Sequence, residues 1–241
     1  MDLCEKKTAE GLEEETGEFW IWVSFVPEHR LVLAAPVGRH DKDAAKAVVE
    51  KSKERLGEGP LPLFVSDGWD AYIEALLDAF HRIQDRPRTG RPGRPPGPQL
   101  IPDPELRYAQ LVKIRNNGRV VATHKRVVFG QDDTVDQDTI STSLIERENL
   151  SLRQDNRRLS RKTNGFSKCI EMLNHQVALY RVYTNLVKKH SSLREQINEK
   201  VVGNVCRKWQ HRTPAMSAGI TDHVWSLREL LTLKVVFIPT N

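Results

Sequence analysis

Between positions 19 and 80 the chain runs through an order of hydrophobic patterns that restricts the fold more than any other feature. Phe19-Trp20-Ile21-Trp22-Val23-Ser24-Phe25 is aromatic and β-branched, and Arg30-Leu31-Val32-Leu33-Ala34-Ala35 follows across Pro27-Glu28-His29. Two such runs with a turn between them predict a hairpin. Residues 42–56 then set Ala45, Val48, Val49 and Leu56 at helical spacing among lysines and glutamates, the pattern of an amphipathic helix lying over a sheet. Gly57 and Gly59-Pro60 end it. A short apolar strand at 61–65 runs into Ser66-Asp67-Gly68 and a second helix from 69 to 80. Strand, strand, helix, strand, helix is an α/β arrangement.

Residues 82–104 are loaded with proline, glycine and arginine, including Arg88, Arg91 and Arg94, which speaks against a regular element there. Beyond them, 107–115 and 119–129 flank Asn116-Asn117-Gly118 and predict a second hairpin with a strong turn signal. A polar acidic loop at 131–138 precedes helical patterns that begin near Ser143, break at 163–165 and resume over 168–189. A last short helix is expected at 224–231, and residues 195–212 carry no functional reading.

With 241 residues there is chain enough for one sizeable core, so one domain is expected. The longest apolar stretches, such as 26–37, are cut by charge or proline, so no membrane span is expected. The opening 18 residues lack the basic start and apolar run of a secretory signal, which leads to a cytoplasmic expectation. Cys4, Cys169 and Cys206 are far apart and build no zinc ribbon. The net charge of +5 permits a polyanionic partner, and the seven acids before Phe19 concentrate the positive charge downstream.

Two carboxylates stand out. Asp67 lies just past a buried strand, at the edge of an open α/β sheet where ligands gather, although Ser66 or Asp67 would also serve simply as a helix cap. Glu146 shares a helix face with Asn149, Arg153 and Arg157, while Ile145, Leu152 and Leu159 recur on a side that can be buried. From Arg147 to Lys168 seven bases face two acids, more one-sided than an ordinary solvated helix, yet intrahelical ion pairing would account for some of it. Arg88, Arg91 and Arg94 would suit a phosphate backbone or a minor groove; a solvated linker is the plainer alternative. Trp20 and Trp22, two apart on a strand, point to one face and read as core, and His190 reads as a helix-end residue. No Ser-His-Asp order, phosphate-binding glycine loop or dinucleotide fingerprint is present.

The block Ser143-Leu144-Ile145-Glu146-Arg147-Glu148-Asn149-Leu150-Ser151-Leu152-Arg153-Gln154, followed by Arg157-Arg158-Leu159-Ser160-Arg161-Lys162-Thr163-Asn164-Gly165-Phe166-Ser167-Lys168, closely resembles transposases of the insertion-sequence-one family. Leu63-Phe64-Val65-Ser66-Asp67-Gly68 with Tyr72, Thr213-Pro214-Ala215-Met216 with Ala218-Gly219, and Thr221-Asp222-His223-Val224-Trp225 are similar to further characteristic segments of that family. The likeness spans roughly residues 19–235.

What the resemblance implies is a ribonuclease-H-like mixed sheet flanked by helices, with a β-hairpin insertion and a helical C-terminal part. It also implies an Asp-Asp-Glu site for two divalent cations, Mg²⁺ or Mn²⁺, with Asp67 matching the second aspartate and Glu146 the glutamate. Asp2 is the candidate for the first aspartate, on a first strand that is short here, as though the reading frame were truncated at its start. The implied reaction is nicking of element ends and strand transfer into double-stranded DNA by a homo-oligomer. Arg147, Asn149, Arg153, Arg157, Arg158, Arg161 and Lys162 would contact that DNA together with Arg88, Arg91 and Arg94. Two rivals remain: a DNA-binding relic without a complete metal site, and a structure-selective nuclease of the same fold.

The expected organisation is an acidic leader at 1–18 with a candidate remnant of the first strand, then a first catalytic half at 19–80. A basic linker and hairpin insertion follow at 81–138, a helical half carrying Glu146 at 139–195, and a tail at 196–241.

Overall fold

The computed structural model describes residues 19–57, 59–86, 97–131, 133, 135–160, 164–197 and 209–233. The first hairpin forms in two pieces. Strand β1 (Trp20–Ile21) pairs antiparallel with β4 (Val37–Gly38), and β2 (Ser24–Val26) pairs antiparallel with β3 (Leu31–Ala34). Between the pieces the Trp22 N–H donates to the Pro36 carbonyl at 2.9 Å, so the backbone remains satisfied across the interruption.

Helix α1 (Lys42–Lys53) starts where Asp41 Oδ1 accepts from the Ala44 N–H at 2.9 Å, and Lys51 and Lys53 in its last turn suit the negative end of the helix dipole. Strand β5 (Leu63–Ser66) and helix α2 (Ala71–Ala79) follow as expected, with α2 packed on α1. The expectation that 82–104 holds no regular element needs correction. Strand β6 (His81–Gln84) pairs antiparallel with β7 (Gln99–Pro102), because the prolines of this region fall outside the paired interiors and Pro102 sits at the strand end. The arginine-proline stretch at 87–96 lies outside the described residues.

Strand β8 (Arg107–Asn116) runs parallel to β5 and antiparallel to β9 (Arg119–Phe129), giving a three-stranded sheet ordered β5, β8, β9. At the hairpin tip Asn117 and Gly118 have φ of 48° and 77°, the left-handed conformations that a two-residue turn between twisted strands demands. Helices α3 (Ser143–Asp155) and α4 (Ile170–Leu186) follow. Residues 195–212, which had no functional reading, contribute at their ends to β10 (His190–Gln196) and β11 (Trp209–Arg212), an antiparallel pair. His190 therefore opens a strand and does not end a helix: its Nδ1 meets Ser192 Oγ at 2.9 Å. Short helices α5 (Pro214–Ser217) and α6 (Leu227–Thr232) complete the described chain.

Strand alternation sorts the side chains into clusters on two sides, as the period of two requires. Trp22, Ala34, Phe64 and Tyr108 pack with Val48 and Val49 of α1 and Ala75 and Leu76 of α2. Their neighbours Ile21, Val23, Ala35 and Val37 pack instead against Leu152, Leu159, Leu173, Val177 and Tyr180 from α3, α4 and the turn between them. Leu63, Val65, Ala109 and Leu111 face a third cluster with Val135 and Ile140. The result is a mixed α/β molecule. Asn185 of α4 closes the flank of β3: its Oδ1 accepts from the Val32 N–H at 3.0 Å and its Nδ2 donates to the Val32 carbonyl at 2.9 Å, replacing a strand partner.

A candidate carboxylate site on strand β8

Asp67 occupies the first position after β5, whose last partner on β8 is Gln110 opposite Ser66. Its Oδ1 accepts from the Trp69 N–H at 3.3 Å, so it closes the turn that leads into α2. The helix cap position belongs to Asp70, whose side chain makes no capping bond, so neither Ser66 nor Asp67 is the cap. Chain packing here is close: a Cβ on Gly68 would lie 3.1 Å from Val112 Cγ2, setting this turn directly against β8.

A buried polar network holds the turn in place. Tyr108, 1% exposed, shares a 2.7 Å hydrogen bond with Ser66 Oγ, and Gln110, fully buried, donates from Nε2 to the Tyr108 hydroxyl at 2.9 Å. Gln110 Nε2 also reaches the Trp69 carbonyl at 3.3 Å, while its Oε1 accepts from Arg126 at 2.6 Å. Ser66 donates onward to the Asp67 carbonyl at 2.7 Å. Burial raises the Tyr108 pKa, against the lowering effect of its Ser66 and Gln110 hydrogen bonds, so it stays a neutral hydroxyl.

Glu146 lies in the first turn of α3, where a carboxylate favours the positive end of the helix dipole. Its Oε1 accepts from Thr142 Oγ1 at 2.7 Å and from Lys113 Nζ of β8. These two hydrogen bonds, Lys113 first, hold its carboxyl below the usual glutamate range, with the Lys113 and Arg115 charges adding to them. Lys113 is the third residue past the Ser66–Gln110 pair. The turn carrying Asp67 thus approaches β8 at Val112 and Glu146 binds it at Lys113, successive residues whose side chains alternate between the two faces of the strand, although 79 positions separate the two carboxylates in the chain.

Other sequence-predicted residues fare differently. Arg147 is exposed and Asn149 is half-buried on α3. Arg153 is half-buried too, its Nε enclosed and without a hydrogen-bond partner among the described residues, so it is not a freely solvated arginine. Arg157 and Arg158 are exposed but belong to a separate 3₁₀ turn: α3 ends at Asp155, which takes them off the helical stripe shared with Glu146. The break has a cause in Asn156, whose buried Nδ2 donates back to the Leu152 carbonyl at 2.9 Å. Trp22 is buried and Trp20 half-buried; both rings pack against His40, Trp20 edge-on and Trp22 tilted, in keeping with one shared face. Asp2, Arg88, Arg91, Arg94, Arg161 and Lys162 lie outside the described residues.

Sequence reasoning missed Lys113 and Thr142, the partners of Glu146. Thr142 stands four residues before Glu146 and was legible as a helix-start neighbour; Lys113 was not, since only the tertiary fold brings β8 to α3. Hard divalent cations take carboxylate and water oxygens, and the donor type here is right for them. Among the described residues no three aspartate, glutamate, histidine or cysteine side chains gather, the candidate third carboxylate, Asp2, lying outside them, and Lys113 places one positive charge on Glu146.

A DNA-processing enzyme is the class to which these features and the comparisons point. Residues 122–190 match the family model described as IS1 transposase, a stretch that holds β9 from its fourth residue, the whole of α3 and α4, and Glu146, but not Asp67. The match supports an IS1-family transposase, in agreement with the block at 143–168 read from the sequence; the segments at 63–72 and 213–225 lie outside the match. No curated protein and no solved structure matches the chain. No helix among the described residues is long and apolar enough to cross a membrane.

Proposed function

We propose that this chain is the catalytic part of an insertion-sequence DNA transposase with a ribonuclease-H-like core, nicking element ends and joining them to target DNA. The observation that carries the reading is the family match over 122–190, which holds Glu146 in the first turn of α3, bound there by Lys113 of β8 and Thr142. Asp67 and Glu146, with Asp2 as third carboxylate, would hold Mg²⁺ or Mn²⁺ ions; such ions, when bound, activate the attacking oxygen and stabilise the leaving one.

The substrate phosphate is attacked in line by a water oxygen for nicking, or by a 3′-hydroxyl for joining. One phosphorus–oxygen bond forms and the bond to the departing strand breaks; the nucleophile gives its proton to solvent and the departing oxygen takes one up from solvent. No bond to the protein is needed. Glu146, held ionised by Lys113 and Thr142, supplies negative charge at neutral pH without a proton to shed. Arg147 beside Glu146, and Arg157 and Arg158 in the turn beyond α3, all exposed, supply phosphate contacts. Work on two element ends suits a homo-oligomer acting in the cytoplasm.

The test is a Mg²⁺- or Mn²⁺-dependent nicking and strand-transfer assay on element-end duplexes. Asp67→Asn and Glu146→Gln should each lower nicking at least ~100-fold, a transition-state loss of about 2.7 kcal/mol, and leave duplex binding within a few-fold. Duplex binding by the unsubstituted chain with no nicking would mean a binding relic. Hydrolysed ends with no joined product would mean a nuclease.

A further inference from the structure

The second hairpin is far more one-sided in charge than a fold element requires. From Leu106 to Gln131 the chain carries Arg107, Lys113, Arg115, Arg119, Lys125 and Arg126 together with His124, and no aspartate or glutamate at all. The pairing of β5 stops at Gln110, whereas β8 and β9 remain paired as far as Asn116 and Arg119. Six residues of β8 therefore extend past the sheet, roughly 20 Å at the usual rise per residue. Every residue from Ile114 to Arg126 is exposed.

Register assigns the bases to faces. Lys113 lies opposite Thr123, and Leu111 opposite Lys125; after the irregularity past Ile114, Arg115 lies opposite Val120. Alternation along β8 puts Lys113 and Arg115 on one face with Lys125 across the ladder. At its inner end that face meets Glu146 through Lys113 and the Gln137 carbonyl through Lys125. Farther out Arg115 continues that face, while Arg119, opposite Asn116, lies on the other; neither has a carboxylate partner among the described residues, and Arg115 reaches only the Gly118 carbonyl at 3.5 Å. Ile114 and Val121, 51% and 61% exposed, accompany them, an apolar pair that a solvated ribbon has no use for.

We propose that the outer part of the β8–β9 hairpin is a DNA-holding arm, with Arg115 and Arg119 on the phosphates of a duplex whose backbone leads along the Lys113 and Lys125 face toward Glu146. A two-stranded ribbon fits the major groove, and an acid-free surface offers no repulsion to the polyanion. Ile114 and Val121 then meet sugars and thymine methyl groups. The arm rests on the reading of this chain as a DNA-processing enzyme but is independent of whether the carboxylates are active.

The experiment measures binding of a 30-base-pair duplex by fluorescence anisotropy from 50 to 300 mM salt, for the full chain and for Arg115→Ala with Arg119→Ala. The double variant should bind about 10-fold or more weakly at ~100 mM salt, and its salt slope should shrink by about 2, close to one per phosphate contact. Arg228→Ala, an exposed base on α6, should change neither. In the unsubstituted protein, duplex should shield Arg115 and Arg119 from phenylglyoxal, read by peptide mass. An unchanged slope and affinity, no shielding, or tighter binding of single-stranded RNA of the same length would overturn the arm. With duplex binding and nicking intact in the parent, such a result leaves the transposase reading standing; a parent that binds no duplex even at 50 mM salt sinks both.

Discussion

Removing one oxygen from the network under Asp67 gives the sharpest test of how the site is supported. Tyr108→Phe keeps the ring, which packs against Phe129 with centroids 6.1 Å apart, and deletes only the hydroxyl that Gln110 Nε2 and Ser66 Oγ use. Ser66 retains the Asp67 carbonyl as acceptor, but Gln110, fully buried, is left with the long 3.3 Å bond to Trp69 for its amide hydrogens. A buried donor that loses its acceptor costs about 1–3 kcal/mol, more than the net value of the bond itself. With a urea slope near ~2–3 kcal/mol per molar, a loss of about 2 kcal/mol moves the midpoint down by roughly 0.7–1 M. The double variant Tyr108→Phe with Gln110→Leu removes donor and acceptor together, and Arg126 stays satisfied by water and by Asp70. Its destabilisation should fall short of the sum of the singles by about 1 kcal/mol, the coupling expected of residues in contact. A Tyr108→Phe midpoint unchanged within ~0.2 M, or strict additivity in the double variant, would refute the claim that this network fixes the turn.

Leu152→Ala should cost about 2–5 kcal/mol in denaturant unfolding, because Leu152 is 3% exposed between α3 and α4 and its removal leaves a cavity that the helices cannot fill. Glu148→Gln should stabilise the protein at pH 7.5 and lose that advantage near pH 4. Burial raises the Glu148 carboxyl above the usual range despite the 2.8 Å hydrogen bond that Tyr180 donates, so the folded form binds its proton more readily and stability falls as pH rises through that window. Urea midpoints of the two proteins at both pH values give the answer, and an advantage that grows in acid would reverse the sign of the argument.

Much of the molecule was legible because local chemistry and tertiary need agree. The Asn117-Gly118 turn specifies its hairpin, Asp41 starts α1, and alternation in 20–23 and 63–65 sorts side chains to two faces. Glu146 was legible through its motif, and the match over 122–190 falls on that part of the chain. Other features lay beyond reach. The β6–β7 pair is exposed on nearly every residue, so no hydrophobic period marks it, and the register that joins His81 to Pro102 crosses the proline-rich loop. The end of α3 at Asp155 depends on buried Asn156 turning its amide back to Leu152, a choice that burial makes and residue type does not.

By itself, then, the order of residues determined the strand and helix periods, the tight turns and the carboxylates worth watching, since each depends on neighbours a few positions away. Tertiary structure alone decided that Lys113 should hold Glu146, that Asn185 should close β3, and that Tyr108 and Gln110 should brace the Asp67 turn. Those contacts join positions between 33 and 153 residues apart, apart from the local Tyr108–Gln110 step. Their partners are chosen by which faces must be buried together, and no local propensity encodes that choice.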